Sequence, residues 1–414
     1  MVFQHPVTGP APAVLVSAAT RTGWREATEA LMPKVLYLLN ISNPDRLSAD
    51  SGWVVADTLL PALVDAGTEA VFAAPAPVTD RRVGFVPTAV PCTKYRARFD
   101  GDTAFLADLL RRTRPDVVVA NQVESAPLVR AAMLEAGSGA VLAGYCHYLP
   151  FSFDRANLLL DPSLNDGGLG RPVLLTFLAG VEALDRVLVH SETAARWLTS
   201  AAGRAGLELG ERLRIVPPPR DPALVRDDAP GPADGTPLSA VYNHRLYAHY
   251  GSEEFVRLAV ELASPALRLT VMDLFGNRRA GRTALDASPE RFRDVLAALP
   301  GVEVASDGGD RGRYRQVLAA AHIGIAPHRP SCPWSLSVID CQAMGLPVIS
   351  PRLGWMAEHI HPDLLFDTPA EAVKITARLA GDPAFYAGHS DYARASTESL
   401  APAVIAARYL EAVA

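Results

Sequence analysis

Four short stretches of this 414-residue chain carry side chains and backbone that suit a phosphate-bearing or hydroxylated ligand. In Ser331–Ile360 (SCPWSLSVIDCQAMGLPVISPRLGWMAEHI) the pattern predicts a loop, a helix from about Ser335, a tight stop at Gly345, a buried strand and a second loop. The helix start leaves the N–H groups of Ser335, Leu336 and the next two residues without intrahelical partners at the positive end of the dipole, a ready anion site. Asp340 follows a little over a turn later and can point back to the same place. In Val241–Gly251 (VYNHRLYAHYG), Asn243 and His244 precede Arg245, whose planar fork suits bidentate phosphate contact. Tyr250, five residues on, can donate one hydrogen bond but brings no charge. The bland alternative for Arg245 is a surface ion pair. In Gly144–Phe151 (GYCHYLPF), His147 follows a buried strand; a lone histidine there is more often structural. Asp50-Ser51-Gly52 opens the first helix.

These stretches fall at the ends of strands in an alternating series. Val35–Leu39 is the first strand, a continuous apolar run suited to burial on both faces of a parallel sheet. Strands and helices then alternate to Val216, which means βαβ units. Residues 217–237 hold seven prolines and two glycines and read as a linker. A second α/β series begins at Leu238. The expected organisation is an extension at 1–31, a first Rossmann-like domain at 32–216, the linker at 217–237 and a second Rossmann-like domain at 238–400. A final helix, 401–414, is placed to cross back. Two such halves put a ligand cleft between the carboxyl ends of their sheets.

Composition narrows the class. A net charge of −6 and the lack of a basic run argue against a nucleic-acid partner. No apolar run approaches the ~20 residues of a membrane helix. The opening stretch lacks the basic start and apolar block of a signal peptide. The four cysteines are scattered, without zinc spacing, and read as free thiols of a cytoplasmic protein. No His/Asp/Glu set shows metal-ligand spacing.

The chain resembles retaining GT-B glycosyltransferases of the family 4-like, group 1 kind over about residues 33–380. Asp340-Cys341-Gln342-Ala343-Met344-Gly345-Leu346-Pro347-Val348 matches the second half of their Glu-x7-Glu signature, and Gly354 with Glu358 matches their glycine–glutamate loop. The resemblance implies that Asp340 takes the donor's ribose hydroxyls, that Arg245 grips the diphosphate and that His147 lies beside the transferred sugar. Leu336, Trp334 and Ser335 would border the donor, and Gly52, the one glycine left where the family has Gly-Gly, would let backbone approach the donor phosphate or acceptor. Two positions depart from the pattern: Cys332 replaces the sugar-reading glutamate, and Tyr250 replaces a phosphate-binding lysine. Asn243-His244-Arg245 and Pro351-Arg352-Leu353 are also similar to the tRNA-queuosine mannosyltransferases. The implied activity is transfer from a sugar-phosphate or nucleotide-sugar donor to a small hydroxylated acceptor, with no metal cofactor. An Ala- and Arg-rich composition associates the chain with specialised-metabolite biosynthesis. The departures leave two alternatives, a phosphoribosyl-diphosphate-dependent transferase and a non-catalytic relative that binds a nucleotide or partner.

Overall fold

The computed structural model describes residues 33–41, 44–90, 98–165, 167–226, 231–233, 235–273 and 287–414. The opening extension read from the sequence lies outside them, as do Cys92 and part of the proline-rich linker. The strands, in chain order, are β1 Lys34–Leu38, β2 Glu69–Ala74, β3 Gly84–Pro87, β4 Val117–Ala120, β5 Val141–Tyr145, β6 Phe151–Asp154, β7 Asn157–Leu160, β8 Arg186–Val189 and β9 Leu213–Ile215. They continue as β10 Leu238–Tyr242, β11 Leu267–Met272, β12 Val302–Ala305, β13 Ile323–Ile325, β14 Val348–Pro351 and β15 Leu365–Phe366.

Two parallel sheets result, ordered β3-β2-β1-β4-β5-β8-β9 and β12-β11-β10-β13-β14-β15. Central strands read as unbroken apolar runs because helices cover both faces; every residue of β4 is buried. In each sheet the chain first works outward to one edge, then returns to the other side of its first strand. The switch points therefore lie between β1 and β4 and between β10 and β13, where open α/β sheets form ligand crevices.

Some elements were not legible from periodicity, the short strand β15 among them. β3 is an edge strand with mostly exposed residues. β6 and β7 form an antiparallel hairpin, in part within a stretch that reads as loop. The helix Pro383–Glu398 buries Tyr386, His389, Ser390, Ala393 and Thr397, too polar a face to give an apolar stripe.

The closing helix, Pro402–Val413, lies against the first half. It packs on the helix Ser51–Asp65, Tyr409 meets Tyr145 edge-on at 5.9 Å, and Arg186 Nη2 donates to the Ala414 carbonyl at 3.1 Å. Nearby, the Arg220 amide donates to the Leu400 carbonyl at 2.9 Å, so both crossings run side by side. Among the described residues no helix is long and apolar enough to cross a membrane.

Candidate active site

The loops that follow the strands of one half face those of the other, and their contacts close the cleft. From β10, Asn243 is buried and donates through Nδ2 to Tyr314 Oη at 2.8 Å and to the Ser337 carbonyl at 3.0 Å. It thereby joins the end of β10 to the start of the helix Leu336–Ala343. Ser335 caps that helix without a side-chain bond to its amides, and the first intrahelical bond runs from Ile339 N to Ser335 O at 3.1 Å. The amides of Leu336, Ser337 and Val338 thus precede the ladder, at the positive end of the dipole. Two residues beyond Asn243, Arg245 reaches across the cleft, where its Nη2 donates to the Ala49 carbonyl of the first half at 2.8 Å. Its Nη1 stands 3.4 Å from the Tyr250 hydroxyl. The end of β10 is therefore tied to the helix start through Asn243 and to the first half through Arg245.

His147, after β5, faces them from the first half. Its Nε2 lies 2.9 Å from Ser51 Oγ, and its carbonyl accepts from Trp334 Nε1 at 3.0 Å. The Trp334 indole meets the His147 ring edge-on at 4.7 Å and stacks on His190 at 4.2 Å. His190 is fully enclosed between Trp334 and Tyr145, and neither ring nitrogen has a hydrogen-bond partner among the described residues. Burial, then the neighbouring His147, hold its pKa well below the usual histidine range. Beside this cluster a pocket is lined by Ser51, Asn121, Gln122, Glu124, His147 and Tyr148, among others. Glu124 there is buried, which raises its pKa, and pairs with Arg98 at 2.9 Å.

Several sequence-derived candidates are engaged differently from expectation. Asp340 is 1% exposed and does not open freely to the cleft: its Oδ2 accepts from Tyr314 Oη at 2.8 Å and from Arg311 Nη2 at 3.1 Å. Burial raises its pKa while Arg311 opposes the rise. Its Oδ1 is buried and has no hydrogen-bond partner among the described residues. Gly52 does not present its amide to a ligand; Asp50 Oδ1 caps the helix by accepting from Gly52 N at 3.0 Å and Trp53 N at 3.2 Å. The missing Cβ instead makes room for Leu39 and Asn121. Glu358 turns to the first half, where it accepts from Thr193 Oγ1 at 2.9 Å and pairs with Arg196. The Cys332 thiol is buried and donates to the Trp334 carbonyl at 2.9 Å. Leu336, half-buried at the first helical position, packs on the core.

Sequence reading missed three arginines. Arg311 and Arg315 both hold Asp221, on the crossing between the halves, at 3.1 and 2.8 Å, and Arg311 also holds Asp340. Arg329, after β13, lies over the Tyr250 ring at 4.5 Å. Only the tertiary structure reveals them, because Arg311 and Arg315 on the helix Arg311–Ala319 and Arg329 in a loop otherwise read as solvated charges. The sheet geometry also gathers His361, Asp363 and His389, whose ligand-type atoms lie within 4.8 Å of one another. They sit on the turn Pro362–Leu364 with its preceding residue and on the helix Pro383–Glu398, elements that hold no candidate site residue.

No protein-family model matches the sequence, and no curated protein matches it. Solved structures do. HepE of Anabaena in complex with UDP and glucose is similar over 92% of this chain and 98% of its own, with TM-score 0.66 and 13% identity. Sucrose-phosphate synthase of Thermosynechococcus elongatus gives TM-score 0.70 at 17% identity over 92% and 98%. Trehalose-6-phosphate synthase of E. coli, bound with UDP-2-fluoro glucose, gives 0.65 at 11% over 92% and 98%. At these identities the likeness is one of fold, along nearly the full length of each chain.

Proposed function

We propose that this chain, which has the GT-B fold, is a retaining glycosyltransferase that moves a sugar from a nucleotide-diphosphate donor to a small hydroxylated acceptor. The observation that carries this reading is Arg245, which reaches from the end of β10 to the Ala49 carbonyl, while Asn243 ties the same strand end to the start of the helix Leu336–Ala343. A diphosphate leaving group develops charge as the glycosidic bond breaks. A guanidinium that exchanges the Ala49 carbonyl for phosphate oxygens, together with a helix start, stabilises that charge, the kind of term that usually dominates catalysis. His147, fixed by Ser51 and by Trp334, stands on the opposite wall, where it positions the sugar. The leaving phosphate itself takes the acceptor's proton, so retention needs no separate protein base. The amide- and hydroxyl-bearing pocket of the first half is the acceptor's place, since Asn121, Gln122 and Ser51 offer both donors and acceptors to hydroxyl groups. No step calls for a metal ion. The family 4-like, group 1 assignment and a cytoplasmic setting in specialised metabolism belong to the same proposal.

One observation favours a second donor. The position of the hexose-reading glutamate holds a buried thiol turned to the Trp334 carbonyl, which leaves no carboxylate for hexose hydroxyls. A phosphoribosyl diphosphate, with its diphosphate directly on the sugar, asks for none. Calorimetric titration with UDP, GDP and phosphoribosyl diphosphate separates the readings. Binding of a nucleoside diphosphate supports the first, phosphoribosyl diphosphate alone the second, and no binding by any of the three contradicts both in favour of a non-catalytic role.

A further inference from the structure

Building on the reading of the cleft as a diphosphate site, we propose that Arg329 supplies the second cation of that site and holds the terminal phosphate, with Tyr250 as the spacer that separates it from Arg245. β10 and β13 are the neighbours that flank the switch point, with Ala240 beside Ile323 and Val241 beside Gly324. Arg245 follows the first strand and Arg329 the second. The Arg329 guanidinium carbon lies 4.5 Å from the Tyr250 ring centre, and that of Arg245 lies 5.9 Å from the same centre. One tyrosine is thus shared by two cations from adjacent strand ends.

The loops that carry them are locked together. Gly251 has φ +75°, and a Cβ there would lie 1.9 Å from the His328 carbonyl oxygen, so only glycine admits the neighbour of Arg329 this closely. His244 meets the Tyr250 ring edge-on at 5.0 Å, and its Nε2 is buried with no partner among the described residues. Burial first, then the charges of Arg329 and Arg245, hold its pKa well below the usual histidine range.

Arg329 is incompletely neutralised. Its side chain is 13% exposed, its ion pair with Asp161 of the first half is long at 3.7 Å, and its Nε donates to Ser331 Oγ at 3.3 Å. Two guanidinium groups in a shared, largely dry crevice repel each other unless an anion lies between them. A diphosphate brings that anion, and its outer phosphate would displace Asp161 as the partner of Arg329. Asp161 is then a competitor of the ligand rather than a support, which gives a test of opposite signs.

Affinities for UDP against UMP, and for GDP against GMP, are measured by titration on the full chain. In the wild type the diphosphate binds more tightly. Arg329→Gln is expected to weaken the diphosphate roughly 10- to 100-fold, the worth of a charge-assisted hydrogen bond, and to leave the monophosphate within about 3-fold. Arg329→Lys recovers most of the loss, and Asp161→Asn tightens the diphosphate. Equal loss for both nucleotides in Arg329→Gln, unchanged diphosphate binding, or weaker diphosphate binding in Asp161→Asn overturns the assignment. Should Arg329→Gln fail to fold, the lysine and asparagine variants decide alone. A wild type that binds no diphosphate overturns the donor reading together with this one. A wild type and an Arg329→Gln variant with the same preference for diphosphate overturn the role of Arg329 only.

Discussion

Asp340 is a carboxylate in an environment that resists its charge, and Arg311 is what keeps it there. The pair continues through Arg311 to Asp221 and Arg315, so one string of charges runs from the candidate site to the crossing between the halves. Removing one partner of a buried pair strands the other, at about 3–5 kcal/mol. Because Arg311 retains Asp221, Asp340→Ala should fall near the lower end, about 3 kcal/mol by urea unfolding; a loss below about 1 kcal/mol would show the pair to be structurally idle. His190 argues in the opposite direction. Its folded pKa lies well below the histidine reference, so the unfolded chain takes the proton more readily. Its contribution to stability is therefore present above about pH 6.5 and is lost as pH falls below that value toward its folded pKa. Thermal melts between pH 7.5 and 5 should show a decline that is shallower in His190→Phe, and an identical slope in both proteins would contradict this. Arg245 and His147 could be singled out in the sequence by residue type together with the family resemblance. Arg329 and Arg311 were not, because their significance depends on which strand ends become neighbours.

Among elements, the loops after β10 and β13 depend on a single backbone position. Gly251→Ala must adopt a left-handed conformation and push away the His328 carbonyl, so it should cost more than the ~1–2 kcal/mol of the conformation alone. Gly206 provides the comparison, with the same φ of +75° and nothing within 4 Å of a would-be Cβ. Equilibrium unfolding of Gly206→Ala and Gly251→Ala should rank the second as clearly less stable; equal losses would mean that the loops can part without cost. Elements with strong apolar runs were legible to within a residue or two, as in β8, β10 and the helix Ala126–Ala136. The helix Pro383–Glu398 was not, because its buried face is made of Tyr, His, Ser, Ala and Thr. The Asp161 contact was hidden for a related reason, since it follows a short hairpin whose residues alternate weakly.

The whole molecule is held by what crosses between its halves. Ser191 Oγ donates to the Pro333 carbonyl at 2.6 Å, and Thr193 and Arg196 meet Glu358. The Glu358 contacts involve the segments after β8 and β14 rather than the crevice at the switch points, so they bear on closure more than on chemistry. Glu358→Gln should raise the concentration of donor needed for half-saturation about 2- to 5-fold, the size of a partly exposed pair, without a matching fall in turnover. A loss confined to turnover would instead place Glu358 at the reacting centre. The final helix belongs to the same scale: it covers the helix Ser51–Asp65 and buries Ile405, Ala406 and Tyr409. The central claim is that a diphosphate lies between Arg245 and the start of the helix Leu336–Ala343. The most direct test is a crystal structure of the chain with a nucleoside diphosphate sugar. The account predicts phosphate oxygens within hydrogen-bond distance of the Arg245 guanidinium and of the Leu336–Val338 amides; a diphosphate bound elsewhere, with Arg245 still on the Ala49 carbonyl, would contradict it.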